Sequence, residues 1–196
     1  MGITGLILAG GKASRMNGAN KALVPFLGRP MLAQVIERLA PQVDQILINA
    51  NQDFELFRPF NFPLISDEIG EHAGPLAGLH AGLKTSEQEW ILTVPCDSPL
   101  LSQDLAERLM QAVQAQQADI AIAKTDVQTH PVFCLCKKSL CDDLAAYLKQ
   151  GGRKVRAWQQ THHCIEVSFE HELAFSNINT FDELTQLEAL SGKAPA

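Results

Sequence analysis

The run Leu8-Ala9-Gly10-Gly11-Lys12-Ala13-Ser14-Arg15-Met16-Asn17-Gly18-Ala19-Asn20-Lys21 combines three glycines with three cations and no acid. Glycines let backbone N–H groups approach oxygen atoms closely, and Arg and Lys supply countercharge, so the chemistry on offer is phosphate binding. No Asp or Glu precedes Glu37. Residues 1–36 therefore carry +4, from Lys12, Arg15, Lys21 and Arg29, while the whole chain is −6 and the remainder −10. The run is not a P-loop, because Lys21 is followed by Ala22 and no G-x-x-x-x-G-K-[ST] exists, and it is not the G-x-G-x-x-G dinucleotide fingerprint. Gly10-Gly11 alone fits a tight turn with solvated charges. The spacing to Arg15 and Lys21, just past an apolar strand-like run, favours a ligand.

Asp97 is the second residue of chemical interest. It follows Trp90-Ile91-Leu92-Thr93-Val94, which reads as a buried central strand, and Pro95 and Pro99 bracket it. An isolated carboxylate at such a tip suits Mg²⁺ beside phosphates. Taken alone it is as well read as a turn or helix-capping residue; opposite a cationic phosphate loop, the metal reading is the better one. Asp67 is a further acid on the same rim, suited to ribose or metal-bound water, or simply a solvated loop acid beside Glu68 and Glu71.

These residues need a scaffold. Strand-like runs are Ile3–Ala9, Gln45–Ala50, Leu64–Ser66, Trp90–Val94, Asp119–Lys124, Val132–Cys136 and Cys164–Phe169. Helical patterns are Met31–Leu39, Leu76–Lys84, Gln103–Gln116, Lys138–Gln150, Val155–Gln160 and Phe181–Leu190. The alternation predicts an α/β fold, a mostly parallel, Rossmann-like sheet in three α/β/α layers. Thr180-Phe181-Asp182-Glu183 is a capping box, Ser102 is a candidate cap, Gly151-Gly152 stops a helix, and Pro30 suits the first turn at Met31. Ligands of open α/β sheets bind outside the carboxyl ends of the strands. The Gly10–Lys21 loop, Asn49-Ala50-Asn51, Asp67-Glu68 and Pro95–Pro99 are expected to converge there. One domain over residues 1–190 is expected, with a frayed tail over 191–196.

Apolar content of 46% and charged content of 19% are those of an ordinary soluble globular protein. The acidic balance argues against general nucleic-acid binding. No run approaches a membrane span, and the chain opens directly on a strand pattern, so neither membrane insertion nor export is expected and a cytoplasmic location is. Five cysteines form no disulfide framework and are read as reduced thiols. Cys134 and Cys136 share one face of a strand. Their spacing, and that of His162-His163-Cys164, is not that of a structural zinc site. Lys137-Lys138 reads as a solvated helix end. Arg153-Lys154-Val155-Arg156 is a basic cluster that either faces solvent or meets an anionic substrate.

Leu8-Ala9-Gly10-Gly11, Ser14-Arg15-Met16, Lys21, Gly28-Arg29-Pro30, Asn49-Ala50-Asn51, Gly74-Pro75-Leu76-Ala77-Gly78, Pro95-Cys96-Asp97, His130-Pro131 and Asn177-Ile178-Asn179-Thr180 occur in that order along the chain. Together they resemble the molybdenum cofactor guanylyltransferase family of nucleotidyltransferases, over nearly the whole length. The resemblance implies the nucleotide-diphospho-sugar transferase type of fold, and transfer of GMP from GTP to the terminal phosphate of Mo-molybdopterin with release of pyrophosphate. Mg²⁺ is the implied cofactor, and a recipient molybdoenzyme or a cofactor-delivery protein is an implied partner. Leu8, Ala9, Gly10, Gly11, Lys21, Asn49, Asp67, Gly78 and Asp97 match nucleotide contacts, Asp97 also being the metal ligand. Arg15, Lys21 and Asp97 take the catalytic roles. Asn177 and Asn179 match the pterin side, where Arg153 and Arg156 are placed as well. Asn20 stands where the family usually has Asp, and Asn17 where Gly is common; the first change is expected to loosen Lys21. A cytidylyl- or sugar-phosphate nucleotidyltransferase on the same fold, or a non-catalytic GTP- or cofactor-binding delivery protein, are the rival readings.

Overall fold

A computed structural model describes residues 1–10, 20–69 and 74–191. In chain order the strands are β1 (Ile3–Leu8), β2 (Pro25–Phe26), β3 (Arg29–Pro30), β4 (Gln45–Asn49), β5 (Leu64–Ile65), β6 (Trp90–Pro95), β7 (Ile120–Lys124), β8 (Thr129–Lys137) and β9 (Cys164–Ser168). The helices are α1 (Met31–Leu39), α2 (Phe54–Phe57), α3 (Pro75–Thr85), α4 (Leu105–Gln116), α5 (Cys141–Lys149), α6 (Val155–Gln159) and α7 (Phe181–Ser191). Seven strands form one sheet in the order β5-β4-β1-β6-β8-β7-β9, and β2 and β3 form a separate two-residue hairpin.

Alternating side chains divide the core between the two faces of the sheet. Ile46 and Ile48 of β4, and Ala121 and Ala123 of β7, face Leu32, Val35 and Leu39 of α1 and Leu105, Leu109 and Val113 of α4. Leu47 of β4, and Ile120 and Ile122 of β7, face Leu76, Leu79 and Leu83 of α3, Leu144 and Leu148 of α5, and Trp158 of α6. The result is the expected three-layer α/β/α arrangement. Each fully buried Leu or Ile contributes roughly 1.5–3 kcal/mol.

The sheet is mostly parallel, and β8 alone runs against its neighbours. The cause is local. Residues 125–128 close a turn, with Thr125 N–H donating to Gln128 O at 2.9 Å, and so short a connection can only return the chain antiparallel. β8 starts earlier than Val132, because it takes in His130 and Pro131. Pro131 has no N–H for a ladder, and the β7–β8 register shifts between Ile122 and Ala123, opposite this stretch.

Several local expectations change. The helix expected from Gln103 begins at Leu105, with Asp104 in the cap position; the Ser102 hydroxyl turns to the Asp104 carboxylate. The stretch from Lys138 is a 3₁₀ turn, Lys138–Leu140, before α5. Pro30 sits at the N-cap of α1 rather than inside its first turn. The Thr180 capping box forms in both directions: Glu183 N–H donates to Thr180 Oγ1, and Thr180 N–H to Glu183 Oε2, each at 3.1 Å. Gly151, at φ +87°, supplies the left-handed residue that ends α5. Ser191, expected in the tail, is the last residue of α7; residues 192–196 lie outside the described residues.

Leu187 of α7 and Ile178 pack with Val24, Phe26 and Met31 in a small separate core. Leu27 N–H donates to Glu188 Oε1 at 2.7 Å. The chain around Phe26 and the last helix are thereby clasped together.

Candidate functional site

The carboxyl ends of β1, β4, β5 and β6 surround a cavity of about 310 Å³. Its wall includes Leu8, Ala9 and Gly10 after β1, Asn49 and Asn51 at the end of β4, Asp67 after β5, and Cys96 and Asp97 after β6. The convergence read from the strand ends is thus realised at this rim. Gly11 and Arg15 lie outside the described residues.

One side of the cavity is a carboxylate held by two asparagines. Asn49 Nδ2 donates to Asp67 Oδ1 at 2.9 Å, and Asn51 Nδ2 donates to Asp67 Oδ2 at 2.8 Å. Asp67 N–H donates back to Asn51 Oδ1 at 2.9 Å. Asp67 is therefore a fixed acceptor rather than a free loop acid. Glu68, beside it, turns away to Lys84 at 2.5 Å, and that exposed contact lowers its pKa. Asn51 is a cavity-lining residue that the sequence placed only at the rim. Its signal was the Asn-x-Asn spacing, which puts two amide side chains on one side of an extended chain.

Gly78 was assigned to ligand contact, but the cavity wall does not include it. It lies on the buried face of α3, where an added Cβ would stand 2.4 Å from Asn49 Oδ1 and 2.7 Å from Leu8 Cδ2. Its part is to let α3 approach β1 and β4 closely enough to seat Asn49. Ala9 N–H donates to Asn49 O, and Leu8 O accepts from Cys96 N–H.

The other side of the cavity is charged. Lys21 Nζ lies 3.5 Å from Asp97 Oδ2 and donates to Asn179 Oδ1 at 2.5 Å. Asp97 is 9% exposed. Burial raises its pKa, and the Lys21 ammonium opposes that rise. The Asn20 side-chain oxygen accepts from Ala22 N–H at 3.2 Å and caps the 3₁₀ turn Lys21–Leu23.

Asn177 and Asn179 come to this side too. Ser98 Oγ donates to Asn177 Oδ1 at 2.7 Å, and Ile178 N–H donates to Asp97 O at 3.0 Å. Asn177 lines the cavity. Arg153 and Arg156 do not. Arg153 donates to Leu148 O at 2.8 Å and to Gly152 O at 2.7 Å, closing the end of α5, and Arg156 pairs with Glu166. Lys137 pairs with Asp119 at 2.8 Å, and Lys138 donates to Ser86 O, so neither is a merely solvated helix end.

Asp97 fits a hard divalent cation. Mg²⁺ needs oxygen ligands, takes one or two protein carboxylates and completes its shell with phosphate and water. A desolvated carboxylate beside a single ammonium is such a donor. The cysteines sit elsewhere. Cys134 and Cys136 are buried under α5 and α6, where desolvation pushes their thiols up. All five cysteines are free thiols.

Residues 5–165 match the family model described as the MobA-like NTP transferase domain. A molybdenum cofactor guanylyltransferase from Cupriavidus pinatubonensis is 48% identical over 192 residues, covering 95% of this chain and 96% of that protein. One from Cupriavidus necator is 49% identical over 187 residues, covering 93% and 94%. In fold, the chain is similar to molybdopterin-guanine dinucleotide biosynthesis protein A from Archaeoglobus fulgidus, with a TM-score of 0.80, 24% identity, and coverage of 97% and 100%.

Proposed function

The chain belongs to the MobA-like NTP transferase family, a family of nucleotidyltransferases, and from that premise we propose that it is a molybdenum cofactor guanylyltransferase. It transfers GMP from GTP to the terminal phosphate of molybdopterin carrying molybdenum, and releases pyrophosphate. The observation that carries this reading is the two-sided cavity. Lys21 and Asp97, 3.5 Å apart, form a phosphate end, and Asp67 between Asn49 and Asn51 forms an end suited to the donor groups of a nucleoside. The choice of guanine follows the two Cupriavidus relatives.

The acceptor phosphate attacks the α-phosphorus in line, the bond to the β-phosphate oxygen breaks, and pyrophosphate departs with that electron pair. The attacking oxygen is already anionic, so the site needs no strong base. Catalysis is positioning and charge stabilisation. Lys21 neutralises charge on the departing pyrophosphate, and Arg15 is assigned the same work from its place in the sequence. Asp97 is the residue that would hold Mg²⁺, which when bound supplies further positive charge to the phosphate oxygens. Asp67 fixes the nucleoside end through the two asparagines. No described helix is long and apolar enough to cross a membrane. The five free thiols support a reducing, cytoplasmic setting.

The test is pyrophosphate release from GTP, CTP, UTP and ATP, with Mg²⁺ and with or without molybdopterin. Release with GTP alone, and only with the pterin, is the expected result. Preference for another base keeps the chemistry and changes the substrate. Tight GTP binding without release points to a delivery protein instead.

A further inference from the structure

Beside the nucleotide cavity lies a second cavity of about 360 Å³, which shares Val132 and Asn177 with it. His130 and Glu172 stand in its wall, brought there by the start of β8 and by the turn that follows β9. The His130 ring is held firmly. It is 7% exposed, stacks on Phe175 with centroids 4.9 Å apart and meets the edge of Phe133 at 6.0 Å. Thr125 Oγ1 donates to Gln128 O at 3.2 Å, so toward His130 Nε2, at 3.1 Å, it is the acceptor. That network assigns the ring hydrogen to Nε2 and leaves Nδ1 an acceptor. Burial lowers the pKa of His130, and the Glu172 carboxylate opposes that fall.

Glu172 makes no hydrogen bond to His130. Its Oε1 lies 3.8 Å from His130 Nε2, beyond hydrogen-bond range. Its Oε2 is buried and has no hydrogen-bond partner among the described residues. The side chain is still 35% exposed and lines the cavity, and its terminal torsion is a soft coordinate. An unpaired buried carboxylate oxygen is a costly arrangement that calls for a donor. Among the groups of this wall, Glu172 Oε2 is an acceptor left without a donor. Its complement is a flat ring with two adjacent N–H groups, which a carboxylate receives in bidentate fashion.

Building on the proposed function, we propose that Glu172, set in place beside His130, reads the 2-amino and N3–H edge of the acceptor's pterin ring. The pterin lies in the second cavity, and its phosphate arm passes Val132 and Asn177 to reach Lys21 and Asp97. Glu172 is then a specificity-determining residue for the acceptor and takes no part in binding GTP.

The test uses the full chain, with 6-hydroxymethylpterin as a fluorescent probe and the corresponding lumazine, in which oxygen replaces the 2-amino group. Wild type is expected to prefer the pterin. Glu172→Gln is expected to weaken pterin binding about ten- to a hundredfold and to erase the preference over lumazine. GTP affinity is expected to stay within about twofold, which also reports an intact fold, because Glu172 is outside the nucleotide cavity. In turnover, KM for molybdopterin rises and kcat is kept. Unchanged pterin binding in the variant, a retained preference over lumazine, or no pterin binding by wild type overturns the assignment while GTP-dependent pyrophosphate release leaves the guanylyltransferase standing. A raised KM for GTP with pterin binding unmoved puts guanine in the second cavity and overturns it as well. Absence of pterin-dependent release from GTP by wild type defeats the guanylyltransferase reading itself.

Discussion

On the side of the cavity proposed for the nucleotide, Asn49, Asp67 and Asp97 stand at or just past the ends of the parallel-paired strands β4, β5 and β6. On the acceptor side, His130, Glu172, Asn177 and Asn179 come from a reversed strand and from irregular chain between β9 and α7. The first group is set by the sheet. Asn49 is paired with Leu8, which is paired with Pro95, so three strand ends are in register before any side chain acts. The second group is set by polar staples, Ser98 to Asn177, Ile178 to Asp97 and Lys21 to Asn179. A sheet resists displacement because its ladder is cooperative. A stapled loop can adjust when a ligand replaces one staple, and Lys21, bonded to both sides, is where the two schemes meet.

Removing charge from the sheet-built side sharpens that contrast most. Asp97→Asn is expected to lower turnover by at least ~10³-fold. Its stability should move the other way. Burial raises the Asp97 pKa in the folded chain, so the fold binds that proton more tightly than the unfolded chain does and loses stability as pH rises through the shifted range. The neutral variant escapes that loss. Thermal melts of the ligand-free protein should show Asp97→Asn more stable than wild type at neutral pH, with the gap closing below the ordinary carboxylate range. A variant less stable than wild type at neutral pH would mean that the Lys21 pair outweighs desolvation.

Lys21→Ala comes next, with kcat expected to fall on the order of 10²–10³. Since Lys21 also holds Asn179, KM for molybdopterin should rise too. A loss confined to kcat would show that the acceptor side stands without it.

Gly78→Ala probes the sheet-built side by packing alone. A methyl group 2.4 Å from Asn49 Oδ1 forces Asn49 off Asp67. Destabilisation of about 1–3 kcal/mol is expected. KM for GTP should rise about tenfold, the weight of one well-placed hydrogen bond. Chemical denaturation and steady-state kinetics on the same variant separate the two effects.

The smallest effect belongs to Arg156→Ala. Its partner Glu166 keeps Lys124 at 3.2 Å, and the Arg156 pair is partly exposed, so stability should change by less than about 1 kcal/mol. Activity should be unmoved. A rise in KM for molybdopterin would return Arg156 to the acceptor side, where the basic cluster alone had placed it.

Much of the nucleotide side could be read from residue order. Apolar runs ending in Asn49, Asp67 and Asp97 gave both the strands and the polar groups at their tips, because alternation within a strand and the rule for strand ends are local properties. Arg153 and Arg156 illustrate the limit. Charge and a Gly-Gly break could not distinguish a substrate contact from a helix closure, since the answer depends on which carbonyls and carboxylates lie nearby. Gly78 is similar: its importance was legible, but its role against Asn49 needed the α3–β4 approach distance. His130 was marked by its place beside Pro131, and Glu172 by nothing local.

The sequence by itself determined the alternating α/β layout, the phosphate-seeking run, the acid at the tip of β6 and the family, because short-range periodicity and ordered motifs carry that information. Only the tertiary structure decided that Lys21 meets Asn179 across 158 positions, that Asn20 caps the lysine's turn, and that a second cavity opens beside the first. Those contacts depend on where the clasp between α7 and the chain around Phe26 brings distant segments, and packing over the whole molecule fixes that path.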